Sequence, residues 1–254
     1  MTYVRQTEII SKESLMQENN KTSALVLGVF ILLGLSSLGY LIGSSAIKFK
    51  EYERTVTVKG LSEKEHVANI VIWPIQFTTV GNNLEEVYSA IDGNAAEIKR
   101  FLMNKGINEK EISFGTPSLT DKLAQQYSSQ ERPEFRYLAS QTVTVYSQNI
   151  NGVRDTMSSL SQLGKKGIVF SGGDYQTQTE YLFTKLNDIK PAMIEEATMK
   201  ARDVAQKFAS DSNSTLGKIK QASQGQFSIE DRDKNNPHIK KIRVVSTVEY
   251  YLSD

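Results

Sequence analysis

Residues 22–47 read TSALVLGVFILLGLSSLGYLIGSSAI, and they divide the chain. This stretch of 26 residues contains no charged side chain. As one helix it would extend about 39 Å, more than the roughly 30 Å hydrocarbon core of a bilayer. A continuous helix also satisfies its own backbone polar groups, as lipid requires. Lys21 closes one end, and Lys48 and Lys50 close the other. The reading is an N-terminal single transmembrane helix, an anchor over 22–47. A cleaved signal is the competing reading, with Ser44-Ser45-Ala46 as its small-residue cleavage site. It fits less well, because signal cores are shorter and a polar leader of 21 residues stands in front. A soluble core helix is the third reading, and it rarely stays uncharged for this length. Gly39 and Gly43 form a G-x-x-x-G step that permits close helix packing. Glycine is also simply common in membrane helices.

Charge does not orient this helix. Arg5, Lys12 and Lys21 precede it, while Lys48, Lys50, Arg54 and Lys59 follow it. The positive-inside rule therefore selects neither side.

The remainder, 48–254, reads as one α+β domain. The whole chain carries 30 Lys+Arg and 29 Asp+Glu. Residues 1–21 take three of each, which leaves 27 and 26 in the domain. That balance excludes a dedicated nucleic-acid binder, which needs a basic excess. The chain has no cysteine and two histidines, His66 and His238. Disulfides, cysteine-ligated metals and cysteine nucleophiles are thereby excluded.

Strand and helix periods alternate along the domain. Thr55-Val56-Thr57-Val58-Lys59-Gly60 alternates with period two. Residues 69–80 form a second β-rich run, and Pro74 within it predicts an edge or a bulge. Leu84, Val87, Tyr88, Ile91, Ala95, Ile98 and Leu102 recur at helical spacing, with Gly106 as the left-handed stop. Residues 112–119 predict one strand, 121–133 an exposed loop, and 135–147 a strand. Val153, Met157, Leu160 and Leu163 predict a short helix stopped by Gly164-Lys165-Lys166-Gly167. Residues 168–170 begin a strand, with 176–181 as its extension. A long helix follows from about Asn187 to Ala209, with Ala197, Ala201, Ala205 and Ala209 as a small-residue seam. Such a seam lets a helix lie close to a sheet or to another helix. Packing within the domain is the favoured use of it, and an oligomer contact the other. Residues 216–229 and 239–252 read as strands. In the last strand Ile242, Val244, Ser246, Val248 and Tyr250 share a face. No repeat of fixed period is present, and mainly antiparallel sheets with packed helices follow.

No motif carries recognisable chemistry. The nucleophile elbow, the zinc helix and the phosphate loop are missing. Asp231, Asp233 and Asn235 imitate the start of a calcium loop, yet Asn236 and Ile242 occupy the places of its glycine and final acid. His66 sits among Glu63, Lys64 and Glu65, which reads as a surface turn. Glu85-Glu86 and Glu195-Glu196 read as solvent faces, since adjacent helix positions do not face each other. Trp73 reads as core, and Tyr250 and Tyr251 split between core and surface. Catalytic, cofactor and metal residues are therefore all read as none. An enzyme with a dispersed acid/base site involving Arg202, Asp203 or the loop acids remains an alternative. A peptide binder using a sheet edge near Pro74 is another.

Several of these pieces recur together in one known family. Val56-Thr57-Val58-Lys59-Gly60, Pro74, the helix through Ile98 to Gly106, and Ile112 are the first. Glu195 to Ala205, Leu216-Gly217-Lys218-Ile219, Gln224 to Ile229 and Val248 to Leu252 complete the set. In this order and spacing the chain from Tyr52 to Leu252 resembles the SIMPL-domain family of bacterial envelope proteins. Ile75 departs from it, where the family often carries Asp. The resemblance implies a domain on the periplasmic side of the bacterial inner membrane and a homo-oligomeric tendency. It also implies a loose link to envelope or oxidative-stress defence, with no established enzyme activity. The bilayer, reached through 22–47, and other copies of the chain are the expected partners, with no nucleic acid.

Overall fold

A computed structural model of the chain describes residues 2–51, 54–124, 134–172 and 177–253, with side chains of 23–47 only in the first helix. That helix, α1 (Thr2–Glu51), runs through the apolar stretch and continues on both sides. The strands and helices beyond it are an α+β fold of antiparallel sheets with packed helices.

The contacts gather into two units. One comprises 59–201 and 223–247; the other comprises 1–58, 202–222 and 248–254. The larger unit holds a six-stranded sheet. Its spine is β2 (Ile70–Gly81) against β5 (Tyr137–Ser147), antiparallel from Val71↔Ser147 to Gly81↔Tyr137. Short strands β3 (Ile112–Phe114) and β4 (Ser118–Asp121) line the far side of β5. On the far side of β2, β6 (Val169–Phe170) pairs at Phe77–Thr78 and β7 (Glu180–Leu182) pairs at Ile70–Ile72.

Pro74 lies where neither β6 nor β7 reaches, so its missing N–H has a local edge to face. The predicted bulge is absent, since the β2–β5 register runs through Pro74↔Thr144 without a slip. Val71, Trp73, Ile75 and Phe77 alternate into a core shared with Val143 and Val145. Trp73 is core, as its apolar run predicts.

Helix α2 (Leu84–Asn104) supplies Val87, Ile91, Ala95, Ile98, Phe101 and Leu102 to that core. Asn83 caps it by accepting from the N–H groups of Glu85 and Glu86, and Gly106 leaves it at φ +87°. Leu84 and Tyr88, predicted on its apolar stripe, are exposed. The buried arc is narrower and centred on Ile91 and Ile98.

Four further expectations change. The strand at 112–119 splits in two, because Gly115-Thr116-Pro117 interrupts it and Pro117 cannot donate to the ladder. The short helix becomes α3 (Ile150–Ser158) and α4 (Ser161–Gly164), and Gly167 at φ +89° ends the pair. Residues 168–181 do not make one strand: β6 and β7 meet β2 at separate places, and Gln176 lies outside the described residues. The loop read over 121–133 begins as the end of β4 and a turn, and 125–133 lie outside the described residues.

The second sheet contains β1 (Thr55–Val67), β8 (Thr215–Gln224), β9 (Ser228–Asp231) and β10 (Ile239–Ser253). Its order is β1-β10-β8, with β9 also on β10. The strand expected over 216–229 is thus two strands. The break falls at Gly225-Gln226-Phe227, where Phe227 packs against the cluster of Met193, Ala197, Ile242 and Val244. The face of β10 from Ile242 to Tyr250 is buried as its alternation predicts, while Tyr251 is exposed.

Helix α5 (Leu186–Asp211) presents the alanine seam, and all four alanines are fully buried. At Ala197 and Ala201 the neighbour is β1. A Cβ built on Gly60 would lie 1.8 Å from the Ala197 carbonyl oxygen and 2.6 Å from the Ala201 nitrogen. Only hydrogen fits there, so the strand backbone rests directly on the helix backbone. Gly60→Ala is expected to lower stability by about 3 kcal/mol, the upper end of ordinary over-packing costs. Gly93→Ala, in open space within α2, is expected to raise it by up to about 1 kcal/mol. Urea unfolding of both full-length variants in detergent checks the pair.

Candidate functional site

Two polar junctions stand out where charged or titratable side chains enter the fold. The first lies beside the Gly60 contact. Period two places Gly60 and Ser62 on the same inward face of β1, and both are buried. The Ser62 hydroxyl donates to Glu196 Oε2 at 2.9 Å. Lys64 lies 3.3 Å from the same oxygen, and Lys200, one turn along α5, lies 2.7 Å from Oε1. These donors hold the Glu196 carboxyl at about 2, with Lys200 the largest cause and Ser62 next.

Glu196 is therefore no plain solvent face, whereas Glu195 is exposed. The clue in the sequence is weak: a carboxylate adjoining a seam alanine has to pass the strand that the seam admits. Chemically the junction is a clamp. Ser62 is inaccessible, and Glu196 is ionised and fully engaged at neutral pH, which suits neither a nucleophile nor a proton donor.

The second junction contains His238. Lys240 is buried on the same face of β10 as Ile242, and His238, in the turn just before the strand, is buried as well. Lys240 pairs with Asp231 at the end of β9. His238 Nε2 lies 3.1 Å from Arg154 Nη1 on α3. The ring meets Tyr181 edge-on at a centroid distance of 6.0 Å, and its backbone oxygen accepts from the Ala68 N–H at 2.8 Å. Burial, then Arg154, lowers the imidazole pKa; burial raises that of the Tyr181 hydroxyl.

His66 is not on a turn. Strand β1 continues to Val67, with Glu63, Lys64 and Glu65 exposed along it and each ion-paired, to Lys241, Glu196 and Arg232 in turn. The His66 ring lies 5.3 Å from that of Phe183, and its buried Nε2 has no hydrogen-bond partner among the described residues.

The remaining sequence candidates serve local structure. Asp233 Oδ1 accepts from the N–H groups of Asn235 and Asn236, and Oδ2 accepts from Arg232 Nε, so the acid closes a turn. Glu85 and Glu86 are exposed in the first turn of α2, where negative charge suits the helix dipole. Lys166, from the glycine-bounded stop, pairs with Glu97. Arg202 and Asp203 are both exposed. Among the described residues no group of three or more His, Asp or Glu side chains is placed to hold a metal ion.

Away from these junctions, the most apolar 18 residues within Ser23–Ile47 have a mean hydropathy of 2.4, and none of them is buried. By length and composition it fits a single-pass anchor or a signal sequence. The family model for SIMPL, described as a protein of unknown function (DUF541), matches residues 56–248. The chain belongs to the SIMPL family. The SIMPL match begins at the start of β1 and ends within β10, so it spans both junctions. The family is not a known enzyme family. A comparison with curated proteins returns no match.

The Glu196 clamp makes a pH prediction. Its folded value near 2 lies below the ordinary 4.5, so its stabilisation is complete above pH 4.5 and fades as pH falls toward 2. Glu196→Gln is expected to lower the urea midpoint at pH 7. That difference from the parent should shrink steadily between pH 4.5 and 2, as read by denaturation at each pH.

Proposed function

We propose that this SIMPL protein is a non-enzymatic, membrane-anchored envelope protein whose extracytoplasmic domain assembles with copies of itself. The observation that carries the reading is the charge-free helix Ser23–Ile47, whose apolar side chains find no protein interior to enter. A bilayer is the solvent that removes such surface from water. Tethering to a surface raises the effective concentration of the domain, so weak contacts suffice for assembly. The clamped state of Glu196, the pairing of Lys240 with Asp231 and the turn closed by Asp233 support a binding or scaffolding role over catalysis. Membership of the family supports the envelope setting and the loose link to envelope or oxidative-stress defence.

Three measurements test the parts separately. Full-length protein is expected in the membrane pellet after alkaline carbonate washing. Val29→Arg combined with Leu33→Arg should shift it to the supernatant, since each arginine near the helix centre costs roughly 2.5–3.5 kcal/mol of insertion. Recovery of the unaltered parent in the supernatant with residues 22–47 intact rejects the anchor. In spheroplasts, added protease should remove a C-terminal epitope and spare an N-terminal one; the reverse pattern rejects the extracytoplasmic placement. A monomer across a hundredfold concentration range in nanodiscs, read by mass photometry and crosslinking, rejects self-assembly.

A further inference from the structure

The His238 junction has chemistry that the membrane and assembly reading does not use. Arg154 is a permanent cation and only donates. At 3.1 Å from Nη1, His238 Nε2 is therefore the acceptor, which requires a neutral imidazole with its proton on Nδ1. A second proton on the ring would convert an attractive contact into two cations at hydrogen-bond distance.

The other groups around the ring do not offset that change. Tyr181 on β7 presents an edge-on ring, and the β1–β2 connection contributes the Ala68 backbone N–H to the His238 carbonyl. Arg232, in the connection before β10, adds a further positive charge. Asp233 favours the protonated ring, but it acts more weakly than burial or either arginine, and Arg232 and two backbone N–H groups engage its carboxylate.

We propose that the Arg154–His238 contact is an acid-opened latch that joins α3 to the start of β10 while His238 is neutral and releases when the ring gains a proton. Only one side of the latch titrates in this range, so the direction is set. The folded-state imidazole value lies below the ordinary one, so the unfolded chain binds more protons in that window. The stabilisation is present above the ordinary imidazole value of about 6.5 and is lost as pH falls toward the lower folded value. Arg154 is exposed at the outer end of the contact, which gives the released side chain water to enter.

The chain has two histidines, so full-length protein labelled with 13C at histidine Cε1 gives two resonances in detergent, and His66→Gln assigns them. The His238 resonance should titrate below about 6.5 in the parent, and Arg154→Met should move its midpoint up by roughly half a pH unit or more. Hydrogen exchange over 150–158, corrected for its chemical rate, should rise about fivefold or more between pH 7.5 and 5 in the parent. His238→Gln keeps an acceptor for Arg154 and does not titrate, so its exchange should stay level. A His238 midpoint at or above 6.5, or an equal acid response in His238→Gln, overturns the latch. Parent titration and the exposed Arg154→Met keep the test decisive even where His238→Gln folds poorly.

Discussion

Backbone rests on backbone where β1 meets α5. Gly60 has no side chain, and Ala197 and Ala201 have the smallest ones, so strand and helix approach until the space for one carbon is gone. Dispersion is short-ranged, and removing a gap of even half an ångström strengthens every contact along the seam. The same closeness brings Glu196 within reach of Ser62 and Lys64, two and four residues along one face of the strand. A larger residue at 60 would loosen both the packing and the clamp. The polar junction thus depends on an apolar one.

The charged groups of the larger unit work as joints between elements. Glu196 links α5 to β1, Lys240 links β10 to β9, Glu97 links α2 to the end of α4, and His238 links β10 to α3. Three of these are ion pairs with a carboxylate, and in two of them, at Glu196 and Glu97, the lysine partners hold the carboxyl below its ordinary value. The His238 joint differs, because its titrating member is an imidazole facing a cation.

Much of this was legible from residue order. Period two in 55–60 and 239–252, period 3.6 in 87–102 and the alanine steps from 197 to 209 each state which face turns inward. Trp73 and the inward face of β10 followed from such patterns. Errors gathered where polar residues occupy strands. Glu63 to His66 looked like a turn because charge usually marks loops, yet a strand with one exposed face carries charge at no cost. Leu84 and Tyr88 looked buried because the pattern reports side-chain chemistry and leaves the width of the partner surface unstated.

The sequence by itself determined a charge-free helix of membrane length, the absence of cysteine chemistry, the α+β character and the family, because these depend on composition, period and order. Tertiary structure alone decided that Glu196 is clamped, that His238 faces Arg154 across 84 residues and that Gly60 has no room for a Cβ. Those are pairings between distant segments. A pairing distance is a property of two backbones brought together, and neither segment encodes it alone.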